Sequence, residues 1–266
     1  MKTNSQLLLL LSPFCTFHIS MAQDASKPNI ILIMADDLGW GDVGFNGNTR
    51  IQTPCLDRLS SEGVIFDQFY SSAPLSSPTR ASVLTGRNAY RMGVFAPNVG
   101  ILRPEEKTLP KLLKEKGYTT GHFGKWHLGT LTYKEVDANR GRPENKHLFN
   151  PPSEQGYDDA FVTESKVPTF DPMSAPVSNN GRFWDYLPEY EERKTYGTYY
   201  WDINGNKVTE ELRGDDSRIV IDRTLPFIDR SLKQGKPFLA TIWFHTPHLP
   251  CVAGPEHAAL YSDLPL

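Results

Sequence analysis

Ile30-Ile31-Leu32-Ile33-Met34-Ala35 is an unbroken apolar run that stops at Asp36-Asp37. A strand buried on both faces needs such a run, because neither side of the pleat meets water, and that is the condition inside a parallel sheet. On either side of it the chain alternates between strand and helix signals. Val64–Tyr70, rich in β-branched and aromatic residues, reads as a strand, as do Tyr118–Phe123 and Pro237–Phe244. Thr53-Pro54 reads as a cap and first residue of a helix closed by Gly63. Ser77 reads as the cap of a helix from Pro78 to Gly86, and Thr108–Lys116 as a short helix stopped by Gly117. Asp216 reads as the cap of an amphipathic helix carrying Ile219, Val220, Leu225 and Ile228, in which Pro226 predicts a kink or an early end. Strands alternating with helices predict an α/β fold: a mostly parallel sheet flanked by helices. Ligands of such sheets bind beyond the carboxyl ends of the strands. Asp36-Asp37, Lys125-Trp126-His127 and His245/His248 all fall just past those ends.

From about 133 to 216 the chain changes character. It becomes rich in Tyr, Asn, Pro and Glu, reads as an irregular insertion on the substrate side, and holds a hairpin signal at Asn204-Gly205. There is no internal repeat.

Composition narrows the classes. With 266 residues, 11% aromatics and only 20 Gly and 21 Pro, the chain is neither disordered nor collagen-like. A mean hydropathy of −0.43 excludes a bundle of membrane-spanning helices. A net charge of −3 argues against a general nucleic-acid binder, which needs a surface that neutralises phosphates. Three cysteines are too few for a disulfide scaffold. Residues 1–22 read as a signal peptide, with Lys2, the apolar stretch Leu7–Leu11 and the small residues of Ser20-Met21-Ala22 in secretory order. The expectation is export to the periplasm or beyond, with 23–266 as the mature chain. Cys55 and Cys251 then remain, paired or free.

Three short motifs carry chemistry. The adjacent carboxylates Asp36-Asp37 repel each other unless a cation or a set of donors compensates them, so they mark either a hard-cation site or a solvated turn. Ser76 stands at the positive end of the helix expected from Pro78, where free N–H groups favour an anion, and Arg80 in the first turn can reach the same point. Arg87 adds a further positive charge. On an extended loop Lys125 and His127 share one side, with Trp126 packed away from them: an anion clamp beside a proton carrier. His248 reads as a donor to a bound anion or as an ordinary loop histidine. His245, nearer the strand, is the weaker candidate.

Taken together these motifs resemble one family. Pro28-Asn29 through Asp36-Asp37-Leu38-Gly39-Trp40-Gly41-Asp42 is followed by Thr53-Pro54, Ser76-x-Pro78-Thr79-Arg80 and Leu84-Thr85-Gly86-Arg87. Gly124-Lys125-Trp126-His127-Leu128-Gly129 and Thr246-Pro247-His248 complete the series. In this order and spacing they resemble the sulfatases, α/β hydrolases with an alkaline-phosphatase-like fold. The resemblance implies hydrolysis of a sulfate ester, on a sulfated carbohydrate or another alcohol. Ser76 would be oxidised by a formylglycine-generating maturation enzyme. Asp36, Asp37 and Ser76 would contact Ca2+, Arg80 would hold the formylglycine, His127 would handle its proton, and Lys125 and His248 would bind the ester. Trp184, Tyr186, Tyr199, Tyr200 and Trp201 would either stack on sugar rings or form the core of the insertion.

The family completes its calcium site with an Asp-Asn pair after a later strand, followed by a further lysine. No such pair follows His248 before Leu266. The resemblance therefore implies the N-terminal part of a catalytic domain, with a weakened calcium site and an apolar sheet edge prone to association. Two other readings stand beside it. One is a related phosphodiesterase or phosphonate hydrolase, in which Ser76 or a metal-bound hydroxide attacks phosphorus. The other is an inactive remnant that binds anions without catalysis.

Overall fold

The computed structural model describes residues 27–177 and 185–263. The expected leader, residues 1–22, and Trp184 lie outside them. A six-stranded sheet runs through the molecule in the order β1-β6-β2-β3-β4-β5. Its parallel part comprises β1 (Ile30–Asp36), β6 (Phe238–Pro247), β2 (Thr119–Lys125) and β3 (Asp159–Thr163). The short strands β4 (Tyr200–Asp202) and β5 (Lys207–Val208) extend it antiparallel. They are joined by the turn predicted at Asn204-Gly205, where Gly205 adopts φ 76. This is the α/β class expected from the alternation of elements.

Helices cover both faces. On one side α4 (Asp216–Lys233) presents Ile219, Val220 and Phe227 to Phe123, Phe161 and Ile242 of the sheet. On the other, α2 (Ser76–Thr85) contributes Ala81 and Leu84 to a core with Met92, Leu102, Trp126 and Trp243. Leu109 and Leu113 of α3 (Leu109–Glu115) pack against that same core. Large apolar side chains at this depth each contribute about 1.5–3 kcal/mol, so the two tryptophans anchor the strand ends that carry the site. The α1 helix (Pro54–Glu62) follows Thr53-Pro54 as predicted and ends at Gly63. A short α5 (Pro255–Leu260) closes the described chain.

Several expectations need correction. The run Ile30–Ala35 does form a strand, but at the edge of the sheet. Ile30, Leu32 and Met34 pack on the core, while Ile31 and Ile33 are 49% and 62% exposed. An apolar run demands partners on both faces, and the described residues supply only one.

Val64–Tyr70 forms no strand and is exposed throughout, because no neighbouring strand receives it. β3 lies within the stretch read as irregular: Asp159–Thr163 is only five residues long and sits among polar neighbours, so its local signal is weak. α4 continues through Pro226 to Lys233, one residue after a cap at Asp215 rather than Asp216. Pro226 and Asp222 both face solvent, so the carbonyl that proline leaves unpaired meets water, while buried Thr224 and Phe227 hold the helix to the sheet. Leu225, assigned to the apolar face, points outward. Finally, α2 begins at Ser76 behind Leu75, and Ser77 is its second residue rather than its cap.

Among the described residues no helix is long and apolar enough to cross a membrane. Among the described residues Cys55 and Cys251 are not joined to each other.

Candidate active site

The carboxyl ends of β1, β2 and β6 meet the N-terminus of α2, and the site lies at that junction. The β1–β6 register shifts between Met34 and Asp36, which brings Asp36 to the end of the strand as a buried carboxylate. Arg80, one turn into α2, donates through Nη2 to Asp36 Oδ1 at 3.0 Å, through Nη1 to the Lys125 carbonyl at 3.2 Å, and through Nε to Ser76 Oγ at 2.9 Å. Lys125 Nζ donates to the other Asp36 oxygen at 2.6 Å. The guanidinium also lies 4.9 Å from the centroid of Trp243, which fixes its plane. Gly124, with φ +100, lets β2 approach β6 here: a Cβ at this position would stand 2.0 Å from the Trp243 carbonyl oxygen.

Beyond β2 the chain turns sharply. His127 adopts φ 57, the left-handed region, at a cost of about 1 kcal/mol or more. Its N–H donates to the Glu164 carbonyl at 2.9 Å and its carbonyl accepts from Ser77 Oγ at 2.6 Å. The turn sets His127 Nδ1 3.1 Å from Ser76 Oγ. Trp126 is buried on the opposite side, with its indole N–H donating to the Asn150 carbonyl at 2.7 Å. The alternation expected of Lys125 and His127 about Trp126 is therefore present.

Electrostatics follow from burial. Burial tends to raise the pKa of Asp36, but Arg80 and Lys125 together outweigh it and hold the carboxyl below its ordinary value. Burial and the neighbouring Arg80 push Lys125 down to about 8, against the pull of Asp36. Burial, then the charges of Lys125 and Arg80, hold His127 well below the ordinary histidine value. His127 is thus held as a neutral imidazole. With Arg80 Nε donating to Ser76 Oγ, the hydroxyl hydrogen is free for Nδ1. Arg80 and Lys125 stand against buried Asp36 and exposed Asp37, and Arg80 is the cation that reaches Ser76 Oγ.

The other predicted residues fall as follows. Asp37, at φ 62, is exposed, and its Oδ2 lies 3.5 Å from His248 Nε2. His248 therefore borders the site, carried there by the loop after β6. His245 does not. It is fully buried, with Nδ1 2.7 Å from Asp216 Oδ2 and Nε2 2.7 Å from Thr163 Oγ1. Because Thr163 gives its own hydrogen to the Ser165 carbonyl, that group braces β3 against β6 and α4. Arg87 turns away to pair with Glu106 at the surface. Tyr200 and Trp201 are core residues of the β4–β5 hairpin, whereas Tyr186 is half exposed and Tyr199 partly buried.

The calcium trio does not make a calcium shell by itself. Both Asp36 oxygens already accept from cations, and Asp36, Asp37 and Ser76 fall short of the six to eight oxygens that calcium takes. Among the described residues no cluster of three or more His, Cys, Asp or Glu is arranged to hold a metal. Asp36, Asp37, Ser76 and Arg80 border an open groove that Ile31, Ile33, Val64, Phe66 and Phe69 also line. Sequence reasoning did not find Glu164. It follows β3, and with β3 unrecognised nothing placed it beside His127.

The mostly parallel α/β sheet is of the alkaline-phosphatase-like kind, and at its strand ends a hydroxyl at a helix N-terminus meets two buried cations and a histidine. Residues 28–263 match the family described as Sulfatase, and the chain belongs to that family. It is 33% identical over 278 residues to N-acetylgalactosamine-6-sulfatase of Canis lupus familiaris, an alignment that covers 98% of this chain and 48% of that protein. Among solved structures it is similar to Ps i-CgsB in complex with k-i-k-neocarrahexaose, with a TM-score of 0.68, 29% identity, and coverage of 90% of this chain and 49% of that one. It is also similar to BT4656 in complex with its substrate D-glucosamine-2-N,6-O-disulfate, with a TM-score of 0.64, 25% identity, and coverage of 89% and 38%. The chain spans about half the length of the curated relatives it matches.

Proposed function

We propose that this chain is the N-terminal part of the catalytic domain of an exported sulfatase that hydrolyses a sulfate ester on a carbohydrate. The observation that carries the reading is the junction at Ser76: Arg80 Nε at 2.9 Å and His127 Nδ1 at 3.1 Å on one oxygen, with Lys125 bound to the same Asp36 that Arg80 holds. Family membership supports the sulfate ester. The carbohydrate is supported by a relative named for N-acetylgalactosamine-6-sulfate chemistry and by a neighbour holding a disulfated glucosamine.

Formylglycine, made from Ser76 by a dedicated maturation enzyme, fits the position. Arg80 and His127 already converge on its side-chain oxygen, and the residue opens a helix. When present it supplies a hydrated aldehyde, with two hydroxyls on one carbon. The chain's own residues do the rest. Arg80 orients the attacking oxygen, and neutral His127 takes its proton at Nδ1. Lys125 and His248 hold the charged ester oxygens, while the first N–H groups of α2 add positive potential. Calcium enters none of these steps. Asp36, Asp37 and Ser76 are the residues we assign to its edge, and further oxygen donors would be needed to complete its shell. Export is proposed on the signal-like order of residues 1–22.

Peptide mass spectrometry of the segment around Ser76 tests the maturation. In a host carrying the maturation enzyme the peptide should be two hydrogens lighter than unmodified serine. Unmodified serine alone, with that enzyme active on a control substrate, counts against the proposal.

A further inference from the structure

We propose that Ser77 and the buried Arg140–Glu164 pair are positioning residues: together they clamp the His127 backbone in its left-handed turn and so aim its ring at Ser76. The inference rests on the reading of Ser76 and His127 as nucleophile and proton carrier, and it assigns work to residues that touch neither substrate nor the reacting atoms.

Both backbone polar groups of His127 are spoken for from outside β2. On one side the N–H meets the Glu164 carbonyl at 2.9 Å; on the other the carbonyl meets Ser77 Oγ at 2.6 Å. A serine at the N-cap accepts from the helix's own N–H groups, but Ser77 stands inside the first turn of α2. Ser77 is buried and instead donates to a carbonyl fifty residues away, which ties α2 and the His127 turn into one unit. Ser76, its neighbour, is thereby held in register with the ring it faces.

Glu164 is anchored in turn. It is wholly buried, and its carboxylate accepts from Arg140 Nε at 2.6 Å and from the Arg140 backbone N–H at 3.2 Å. Arg140 Nη1 donates to the Gly100 carbonyl at 3.1 Å, so the guanidinium is fixed to two other segments. The neighbouring contact Trp126 N–H to the Thr163 carbonyl at 2.9 Å carries the β2–β3 ladder up to the turn. His127 is therefore gripped by α2, by the end of β3 and, through Glu164, by the 137–142 segment. A left-handed non-glycine residue persists only where its surroundings over-determine it.

Amide exchange and kinetics test the clamp separately. In Ser77→Ala, and independently in Glu164→Gln, exchange at the His127 amide should speed up by about tenfold or more, as expected for loss of one buried hydrogen bond or its anchor. Exchange at Phe123, inside β2, should stay unchanged. Ser77→Thr, which keeps the donor, should restore protection at His127. In matured enzyme Ser77→Ala should lower kcat on the order of tenfold to a hundredfold with KM held, since a small misplacement of a catalytic group costs that much. The proposal is overturned if His127 exchange is unmoved in both variants, or if Phe123 loosens equally. If wild-type protein turns over no sulfate ester, the sulfatase reading fails while the exchange result still decides the clamp.

Discussion

Arg80 is the residue on which the site turns, because one planar group serves Ser76, Asp36 and the Lys125 carbonyl at once. Its removal strands a buried carboxylate beside a lone lysine. Arg80→Ala should therefore lose about 3 kcal/mol in urea unfolding, and Arg80→Lys should recover only part of it, because an ammonium cannot reproduce the fork. A loss below about 0.5 kcal/mol, the size of an ordinary surface change, would contradict the geometry.

Lys125 carries a second expectation. Its pKa is pushed down to about 8, so its charge is present below that value and lost above it. Affinity for inorganic sulfate, followed by calorimetry, should weaken as pH rises through about 8 and stay level in Lys125→Met. A wild-type profile flat across that range would count against Lys125 as the anion's cation. For Asp36 the sign is opposite. Its depressed pKa means that its share of stability is present above the ordinary carboxylate value and drains away as pH falls. These residues were legible in the sequence because their types and spacing are chemically specific. Ser77 was legible only as a helix cap, since the sequence says nothing about which carbonyl a hydroxyl will meet.

Among the elements, those with strong local punctuation were readable: α1 behind Thr53-Pro54, α3 before Gly117, and the β4–β5 turn at Asn204-Gly205. Those that depend on neighbours were not. β3 is short and its apolar content modest, and it becomes a strand because β2 offers it a ladder. Val64–Tyr70 has the composition of a strand but no adjacent strand within the described residues, so it lies exposed beside the edge of β1. Phe69 is 83% exposed. Phe69→Ser should accordingly change stability by no more than about 0.5 kcal/mol in urea unfolding, whereas a core strand position would cost several times more. A loss in that larger range would restore the strand reading.

For the molecule as a whole, the fold class followed from alternating strand and helix signals, and the site from motifs that converge at the carboxyl ends of β1, β2 and β6. The sequence could not show that the apolar run of β1 forms an edge, because the run is the same whether one face or both are covered. Nor could it show that Asp36 spends both its oxygens on Arg80 and Lys125, a matter of three segments meeting in space. The chain covers about half the length of its curated relatives, so its activity is the point on which the account stands. The direct measurement is release of sulfate from an aryl sulfate and a sulfated hexosamine by matured protein, beside Ser76→Ala and beside an aryl phosphodiester as substrate. Sulfate release should be abolished by Ser76→Ala and should exceed phosphodiester cleavage. Release undiminished in Ser76→Ala, faster cleavage of the phosphodiester, or no release at all from protein shown to carry formylglycine would contradict this expectation.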